Sequence, residues 1–293
     1  MNAVSASVAA RRRDLFVGLT LAAAIALMYA SVLTSLVRQW SSDDNYSHGF
    51  FVLPLAAYFA WERRRALAGA VRHPNPIGLV MILGSLLVWV AGLLGAELFL
   101  TRISLIGVIA GTVLFVWGWA HYRILQFPIL FLLLMVPLPA IVFNQLAFPL
   151  QLVASQAGEV VIAAAGIPVL RDGNILQLPS QTLEVAEACS GIRSLVSLMM
   201  LAVVLGYFTE RRTGARILIA CAAVPIAILA NAARVAGTAL TAEWVSPAAA
   251  EGFFHTFSGW LVFVVAFAGL LVVQYLVGRV RGRRPQPALV QAA

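Results

Sequence analysis

Residues 77–96 read IGLVMILGSLLVWVAGLLGA and decide the class of fold, because this run of 20 positions holds no charged residue. About 20 mostly apolar residues are needed to cross the roughly 30 Å of hydrocarbon in a bilayer. The rest of the chain has the same character: 61% of its 293 residues are hydrophobic and only 11% are charged. A soluble domain carries about 25% charged residues. The composition therefore excludes a soluble globular protein and predicts a membrane protein.

Other apolar runs of similar length follow along the chain, separated by basic or turn-rich stretches. We predict an all-α polytopic membrane protein with about eight transmembrane helices. The expected spans are 15–37, 49–61, 77–96, 98–120, 124–141, 190–208, 215–240 and 255–277. The expected domains are a cytoplasmic N-terminus (1–13), a single transmembrane domain (14–280) and a disordered cytoplasmic tail (281–293).

The arginines assign a side to each predicted loop. All 20 basic residues of the chain are arginines, and such residues concentrate in the cytoplasmic loops of membrane proteins. With the N-terminus in the cytoplasm, alternate loops divide these arginines 15 to 5 in favour of the cytoplasmic side. This asymmetry predicts that both termini are cytoplasmic. It also explains the net charge of +8 without nucleic acid as a partner.

The longest predicted outer segment, 142–189, begins with a helical pattern over 146–166. Gln151, Ser155 and Glu159 lie four residues apart, so that one face of this helix is polar. Such a pattern is typical of a helix lying in the membrane interface, and a re-entrant element is the alternative.

The second part of this segment has the pattern of a small sheet. Residues 169–178 place apolar arms around an Asp-Gly-Asn turn, which is typical of a β-hairpin. Residues 183–185 are expected to add a third short strand. We therefore predict a small β-hairpin-like cap on the outer face.

Cys189 is the candidate nucleophile. It lies in VAEACSGIR (185–193) at the start of the sixth predicted span. The positive end of the helix dipole and Arg193, one turn on, favour the reactive thiolate there. A buried structural cysteine is the alternative. Cys221 is interpreted as structural, since no charge lies near it in the sequence.

Two further candidates lie near the predicted outer ends of the last two spans. Arg234 is an ionisable residue inside an apolar run, where charge is costly and commonly functional; snorkelling to the headgroups is the alternative. His255 opens the last span, and of the four histidines only His48 and His255 are expected to reach an outer site. The predicted topology thus places Cys189, Arg234 and His255 on one side. A cysteine, a histidine and a nearby cation suit acyl transfer.

Other common chemistries lack their sequence signatures. The chain has no H-E-x-x-H zinc pair, no Gly-rich phosphate loop with lysine and no G-x-S-x-G elbow. We therefore expect neither a metal nor another cofactor.

These motifs resemble those of the exosortase/archaeosortase family of membrane cysteine transpeptidases, over most of residues 38–277. VAEACSGIR resembles the family's cysteine motif, NAAR (231–234) its arginine motif, and His255 with Gly259 its histidine motif. NYSHGF (45–50), followed by an apolar span and WERR (61–64), resembles its N-terminal signature.

The resemblance implies a cysteine peptidase/transpeptidase, a hydrolase acting on peptide bonds. Its substrates would be secreted proteins with PEP-CTERM-like sorting signals: a short Pro-Glu-Pro-like motif, one transmembrane helix and a basic tail. Cys189 would form an acyl-thioester, assisted by Arg234 and His255, before transfer to a surface acceptor. Substrate-binding or supporting roles fall to four further residues: His48, Glu187, Arg193 and Asn231.

The family picture allows Arg234 to donate the proton. Arginine keeps its proton in proteins, so that an electrostatic role suits Arg234 better and His255 is the more natural acid and base. The resemblance also implies the cell inner membrane, with the active site on the periplasmic face. Besides the bilayer and the substrates, the exopolysaccharide machinery would be a partner.

Two other functions remain open from the residues alone. A transporter or scaffold in exopolysaccharide export would suit the number of spans and the many small residues. However, the spans contain no chain of acidic residues for ion coupling. An intramembrane protease of another class would need a nucleophile or metal site deeper in the bilayer, which the sequence does not show.

Overall fold

The computed structural model describes residues 3–185, 191–246 and 253–280; at 3–12, 14, 15, 253–256 and 280 it describes the backbone alone. Contacts within the chain divide it into two compact units, unit 1 (1–140) and unit 2 (141–293). That residues 14–280 form a single domain stays a prediction.

Unit 1 is built from helices that follow one another along the chain. They are α1 (Ala3–Met28), α2 (Ala30–Ser42), α3 (Gly49–Glu62), α4 (Arg64–Gly69), α5 (Ile77–Leu94), α6 (Leu98–Trp117) and α7 (Trp119–Phe131). Short 3₁₀ helices occupy Asp44–Tyr46 and Leu132–Met135. Phe59 of α3 packs edge-to-face on Phe127 and Phe131 of α7, which joins these two helices through aromatic contacts.

The first predicted span, 15–37, is not one straight helix. Its two halves meet at Tyr29 and are bent by 72°. Tyr29 is fully buried, and its hydroxyl is 3.0 Å from the hydroxyl of Ser104 in α6. The bend therefore lies where a buried aromatic side chain fixes the chain to a neighbouring helix.

The helices α5 and α6 pack as a pair whose backbones come closest at Gly78. A Cβ atom added there would collide with the backbone of Phe115 and lie 2.6 Å from the carbonyl oxygen of Gly111. The opposite face of α5 is apolar and exposed, with Val80 at 69% and Leu87 at 72% exposure. An exposed apolar face suits contact with lipid, while small residues allow helices to approach closely in a membrane.

Unit 2 combines helices with one small sheet. Its elements are α8 (Ala140–Ala164), β1 (Leu170–Asp172), β2 (Ile175–Gln177), β3 (Thr182–Glu184), α9 (Ile192–Thr209), α10 (Thr213–Trp244) and α11 (Phe253–Val280). The last three helices share a core to which Leu198, Ile219 and Leu270 contribute fully buried side chains.

The helix α10 presents one continuous buried edge to the rest of unit 2. Seven buried residues follow at intervals of four: Ala215, Ile219, Ala223, Ala227, Asn231, Val235 and Ala239. Four-residue spacing keeps side chains on one face of a helix. Asn231 is the polar member of this row, and at 4% exposure it is enclosed as fully as its apolar neighbours.

The three strands form an antiparallel sheet in the order β1-β2-β3, which confirms the predicted hairpin and third strand. Asp172 pairs with Ile175, so that two residues make the turn. Gly173 there has a φ of +63°, which is the conformation that the first residue of a type II′ hairpin turn requires.

The polar face predicted for 146–166 exists, and its partner is the sheet. Ser155 donates a hydrogen bond of 2.9 Å to the carbonyl oxygen of Gly173, and Arg171 donates one of 2.7 Å to Glu159. This polar face therefore holds the hairpin on α8, a role that the sequence pattern did not indicate.

The fold class is confirmed: the chain is a polytopic all-α membrane protein with a small three-stranded sheet. The expected number of eight spans is too high. Among the described helices, six are long and apolar enough to cross a membrane, or seven if the bent pair counts as one span.

The difference comes from three segments. Predicted span 49–61 is α3, whose 14 residues extend only about 21 Å. The helical run at predicted span 124–141 stops at Met135, before Pro137 and Pro139, since proline lacks the N–H that continues a helix. In contrast, α8 was expected in the interface or as a re-entrant element, and its 25 residues are long and apolar enough to span.

The approach of α5 to α6 gives a stability prediction with a control in the same helix. Gly78→Ala should lower the free energy of unfolding by about 1–3 kcal/mol, the usual cost of overpacking. Gly84→Ala should be neutral or slightly stabilising, because nothing lies within 4 Å of its added Cβ and alanine favours helix. Thermal unfolding of the purified protein in detergent measures both. Equal midpoints for the two variants would contradict the close contact.

Candidate catalytic site of unit 2

The candidate nucleophile Cys189 and the supporting residue Glu187 lie outside the described residues, which resume at Gly191. The structure does describe the chain on both sides of residues 186–190. Val185 precedes this segment and Gly191 follows it, and both belong to the packed interior of unit 2. Their contacts show where the segment begins and ends.

Val185 is fixed by the sheet. Its backbone N–H donates to the carbonyl oxygen of Asn174 at 2.9 Å, and the Asn174 side chain donates back to the Val185 carbonyl at 3.2 Å. The Val185 side chain is 1% exposed and joins a buried cluster that includes Val235 and Ala239 of α10. The chain therefore leaves the sheet beside α10.

Gly191, like Val185, lies against α10. It precedes α9 with a φ of +80°, in the left-handed region that favours glycine. A Cβ atom there would lie only 2.7 Å from Cβ and Cγ of Asn231. Both the backbone conformation and the contact with Asn231 therefore require glycine at this position.

Arg234 follows Asn231 by three residues on α10 and is half-buried. A Cβ atom added at Gly259 of α11 would lie 3.5 Å from Cζ and Nη2 of Arg234. The guanidinium therefore packs against the backbone of α11 at a position without a side chain. Position 255 lies four residues before Gly259, on the same face of that helix.

The structure thus brings together the parts of three helices that carry the predicted motifs. The start of α9 contacts Asn231, and Arg234 contacts α11 near its N-terminal end. His255 is the third residue of α11, and its side chain lies outside the described part of the chain. Two sources of positive potential, the N-terminus of α9 and the Arg234 guanidinium, favour an anion in this region.

The other predicted residues have different surroundings. Arg193 is exposed in the first turn of α9, and Cys221 is exposed on α10. His48 belongs to unit 1, where it is 6% exposed and its Nε2 lies 3.0 Å from the carbonyl oxygen of Leu134.

One buried arginine of unit 1 was not among the candidate residues of the sequence analysis. Arg102 lies inside α6 at 3% exposure and donates a hydrogen bond of 3.1 Å to the hydroxyl of Ser35. The sequence indicates this residue as well, because Arg102 is an ionisable residue that interrupts an apolar run in the same way as Arg234.

Within the described part of the chain, no three His, Cys, Asp or Glu side chains lie close enough to hold a metal ion.

An all-α polytopic fold with a small sheet packed on its helices defines the class of this membrane protein. The chain matches the transmembrane exosortase family (Exosortase_EpsH) over residues 40–272, and it belongs to that family. The match includes both units and every motif on which the resemblance was based. No curated protein matches the chain, and no solved structure matches it either.

The surroundings of His48 predict a pH-dependent stability. Burial lowers the pKa of His48 below 6.5, while the carbonyl groups of Leu134 and Asn45 act in the opposite sense. Below about pH 6.5 the unfolded chain then binds the proton more readily than the folded protein. Stability should therefore be full above that pH and fall as the pH drops toward the lowered pKa.

Thermal midpoints in detergent between pH 8 and pH 5 measure this effect. His48→Gln keeps a side-chain N–H for the Leu134 carbonyl and should flatten the acid side of the profile. His73→Gln, at an exposed histidine, should leave the profile unchanged. An unaltered slope in His48→Gln would show that another group is responsible.

Proposed function

We propose that this exosortase-family protein is a membrane cysteine transpeptidase that cleaves C-terminal sorting signals through an acyl-thioester at Cys189. One observation carries the proposal: the Arg234 guanidinium packs on the backbone of α11 at Gly259, one turn beyond position 255. Asn231, on the same helix as Arg234, contacts Gly191, two residues after Cys189. The motifs for the nucleophile, the cation and the histidine therefore adjoin one another in unit 2.

The first chemical step is attack of the Cys189 thiolate on the carbonyl carbon of the scissile peptide bond. A C–S bond forms and the carbonyl oxygen becomes an oxyanion, which the Arg234 guanidinium stabilises. Collapse of this intermediate breaks the C–N bond, and the leaving amine takes a proton from the His255 imidazolium.

The second step releases the thioester. The nucleophilic group of a surface acceptor, or water, gives its proton to the neutral His255 and attacks the thioester carbonyl. The acyl group passes to that nucleophile and the Cys189 thiolate is restored. Arginine keeps its proton above a pKa of about 12, so that His255 takes the acid and base roles and Arg234 the electrostatic one.

The substrates in this proposal are secreted proteins that end in a Pro-Glu-Pro-like motif, one transmembrane helix and a basic tail. The site faces the periplasm from the cell inner membrane, and both termini of the enzyme are cytoplasmic. The basic tail of the substrate then stays in the cytoplasm for the reason that the arginine-rich loops do. Arg193, Glu187 and Asn231 support the site or contact the substrate.

The nucleophile is tested with a tagged secreted reporter that carries such a C-terminal signal. Cys189→Ala should abolish processing of the reporter while the enzyme accumulates normally. Cys221→Ala is the matched control and should process normally, because Cys221 lies on an exposed face of α10. Normal processing by Cys189→Ala would overturn the proposal. It would favour the alternative of a transporter or scaffold, in which neither thiol matters.

Two kinds of variant test Arg234 and His255. Alanine substitutions remove their side chains, and a substitution at Gly259 displaces the guanidinium without removing it. Arg234→Ala and His255→Ala should each lower processing at least about tenfold. Gly259→Leu should do the same by displacing the guanidinium. Gly237→Leu on α10 is the control, because nothing lies within 4 Å of a Cβ there. Equal processing by the two leucine variants would show that the Arg234–Gly259 contact is not needed.

A further inference from the structure

Unit 1 contains an apolar cavity of about 930 Å³ that the proposed chemistry does not use. The helices α1, α4, α6 and α7 supply most of its lining, with side chains such as Leu21, Ile25 and Ile109. Along α6 the lining extends from Leu105 to Trp117, which at 1.5 Å per residue is about 18 Å. This length is close to half of the roughly 30 Å hydrocarbon core. The cavity therefore has the depth of one membrane leaflet.

One end of the cavity is basic. Arg64 and His121 line it near Trp117, and no acidic side chain lines it within the described residues. His121 is 7% exposed, and its ring lies beside the backbone of Trp117 and Leu67. Arg64 stacks on Trp61 with Cζ 4.0 Å from the ring centroid. An apolar cavity thus ends at a cation and a buried imidazole.

Further positive charge lies near this end. Arg72 lies within electrostatic range of His121. Burial and the charge of Arg13 lower the pKa of Arg72 from its ordinary value. Like charges at close range repel, so that an anion placed among them is bound favourably.

We propose that this cavity binds one phospholipid with a net negative headgroup, with an acyl chain along α6 and the phosphate at Arg64 and His121. The apolar length and the single basic end match the two parts of such a lipid. Basic pockets between transmembrane helices on the cytoplasmic side bind anionic headgroups. The arginine distribution predicts that this end faces the cytoplasm. A transmembrane helix with a basic tail suits the cavity less well, because the same end would repel that tail.

The headgroup contact is tested by native mass spectrometry of the full chain in detergent. The protein is supplied with phosphatidylglycerol, phosphatidylcholine or inorganic phosphate. We expect one retained phosphatidylglycerol, bound at least about fivefold more tightly than phosphatidylcholine, and no retained phosphate. Arg64→Gln and His121→Gln should each lower the preference for phosphatidylglycerol. Arg65→Gln is the control, because this exposed neighbour does not line the cavity.

The acyl-chain contact is tested by filling the cavity. Ile109→Trp should lower retention of both lipids at least about tenfold. Val90→Trp adds the same kind of bulk to an exposed position of α5 and should change nothing. Equal binding of the two lipids, or equal effects of the Arg64 and Arg65 variants, would overturn the proposal. Displacement of phosphatidylglycerol by the transmembrane helix of a secreted reporter would also overturn it and would assign the cavity to a peptide.

Discussion

Helices in a bilayer gain little from burying one leucine against another, because lipid tails are as apolar as leucine itself. The packing of this protein is consistent with that constraint, since its close helix contacts are made where side chains are small. Gly78 brings α5 onto α6, and alanines line most of the buried edge of α10. Large apolar side chains occur both in the core, such as Leu198, and on exposed faces, such as Leu87. Close backbone contact at small residues therefore contributes to holding the helices together, beside the packing of larger side chains, and many apolar side chains remain on the surface for contact with lipid.

The same principle explains the candidate site. Gly191 and Gly259 are two of the places at which α10 comes close to the start of α9 and to α11. Each glycine lies beside a polar side chain of α10, Asn231 in one case and Arg234 in the other. The missing side chains therefore allow helix packing and also leave room for the polar groups of the site.

The sequence predicted the fold class and the hairpin, because each depends on a local pattern. Apolar runs indicate helices that can span, and Asp172, Gly173 and Asn174 indicate a turn. The number of spans could not be obtained in this way. Apolar composition alone does not show that α1 and α2 are bent at Tyr29 or that α3 is only 14 residues long.

The sequence also could not show which residues contact one another across the fold. The polar stripe of α8 was visible, but its contact with the hairpin depends on the position of Gly173, 18 residues after Ser155. Likewise, Arg102 and Arg234 interrupt apolar runs in similar ways, and only the structure shows that Arg102 is bonded to Ser35. A periodic pattern shows which face of a helix is polar. Tertiary packing decides which group of the protein contacts that face.

The two anchors on either side of residues 186–190 have an energetic consequence. Val185 and Gly191 are both fixed beside α10, by the sheet and by the contact with Asn231. Bringing two positions of a chain together costs conformational entropy, and for Val185 and Gly191 that cost belongs to the folding of unit 2. Conformational entropy that is lost during folding is not lost again when a ligand binds, so that it does not weaken binding. A ligand that reaches this part of α10 therefore meets two residues, Val185 and Gly191, that folding has already fixed in place.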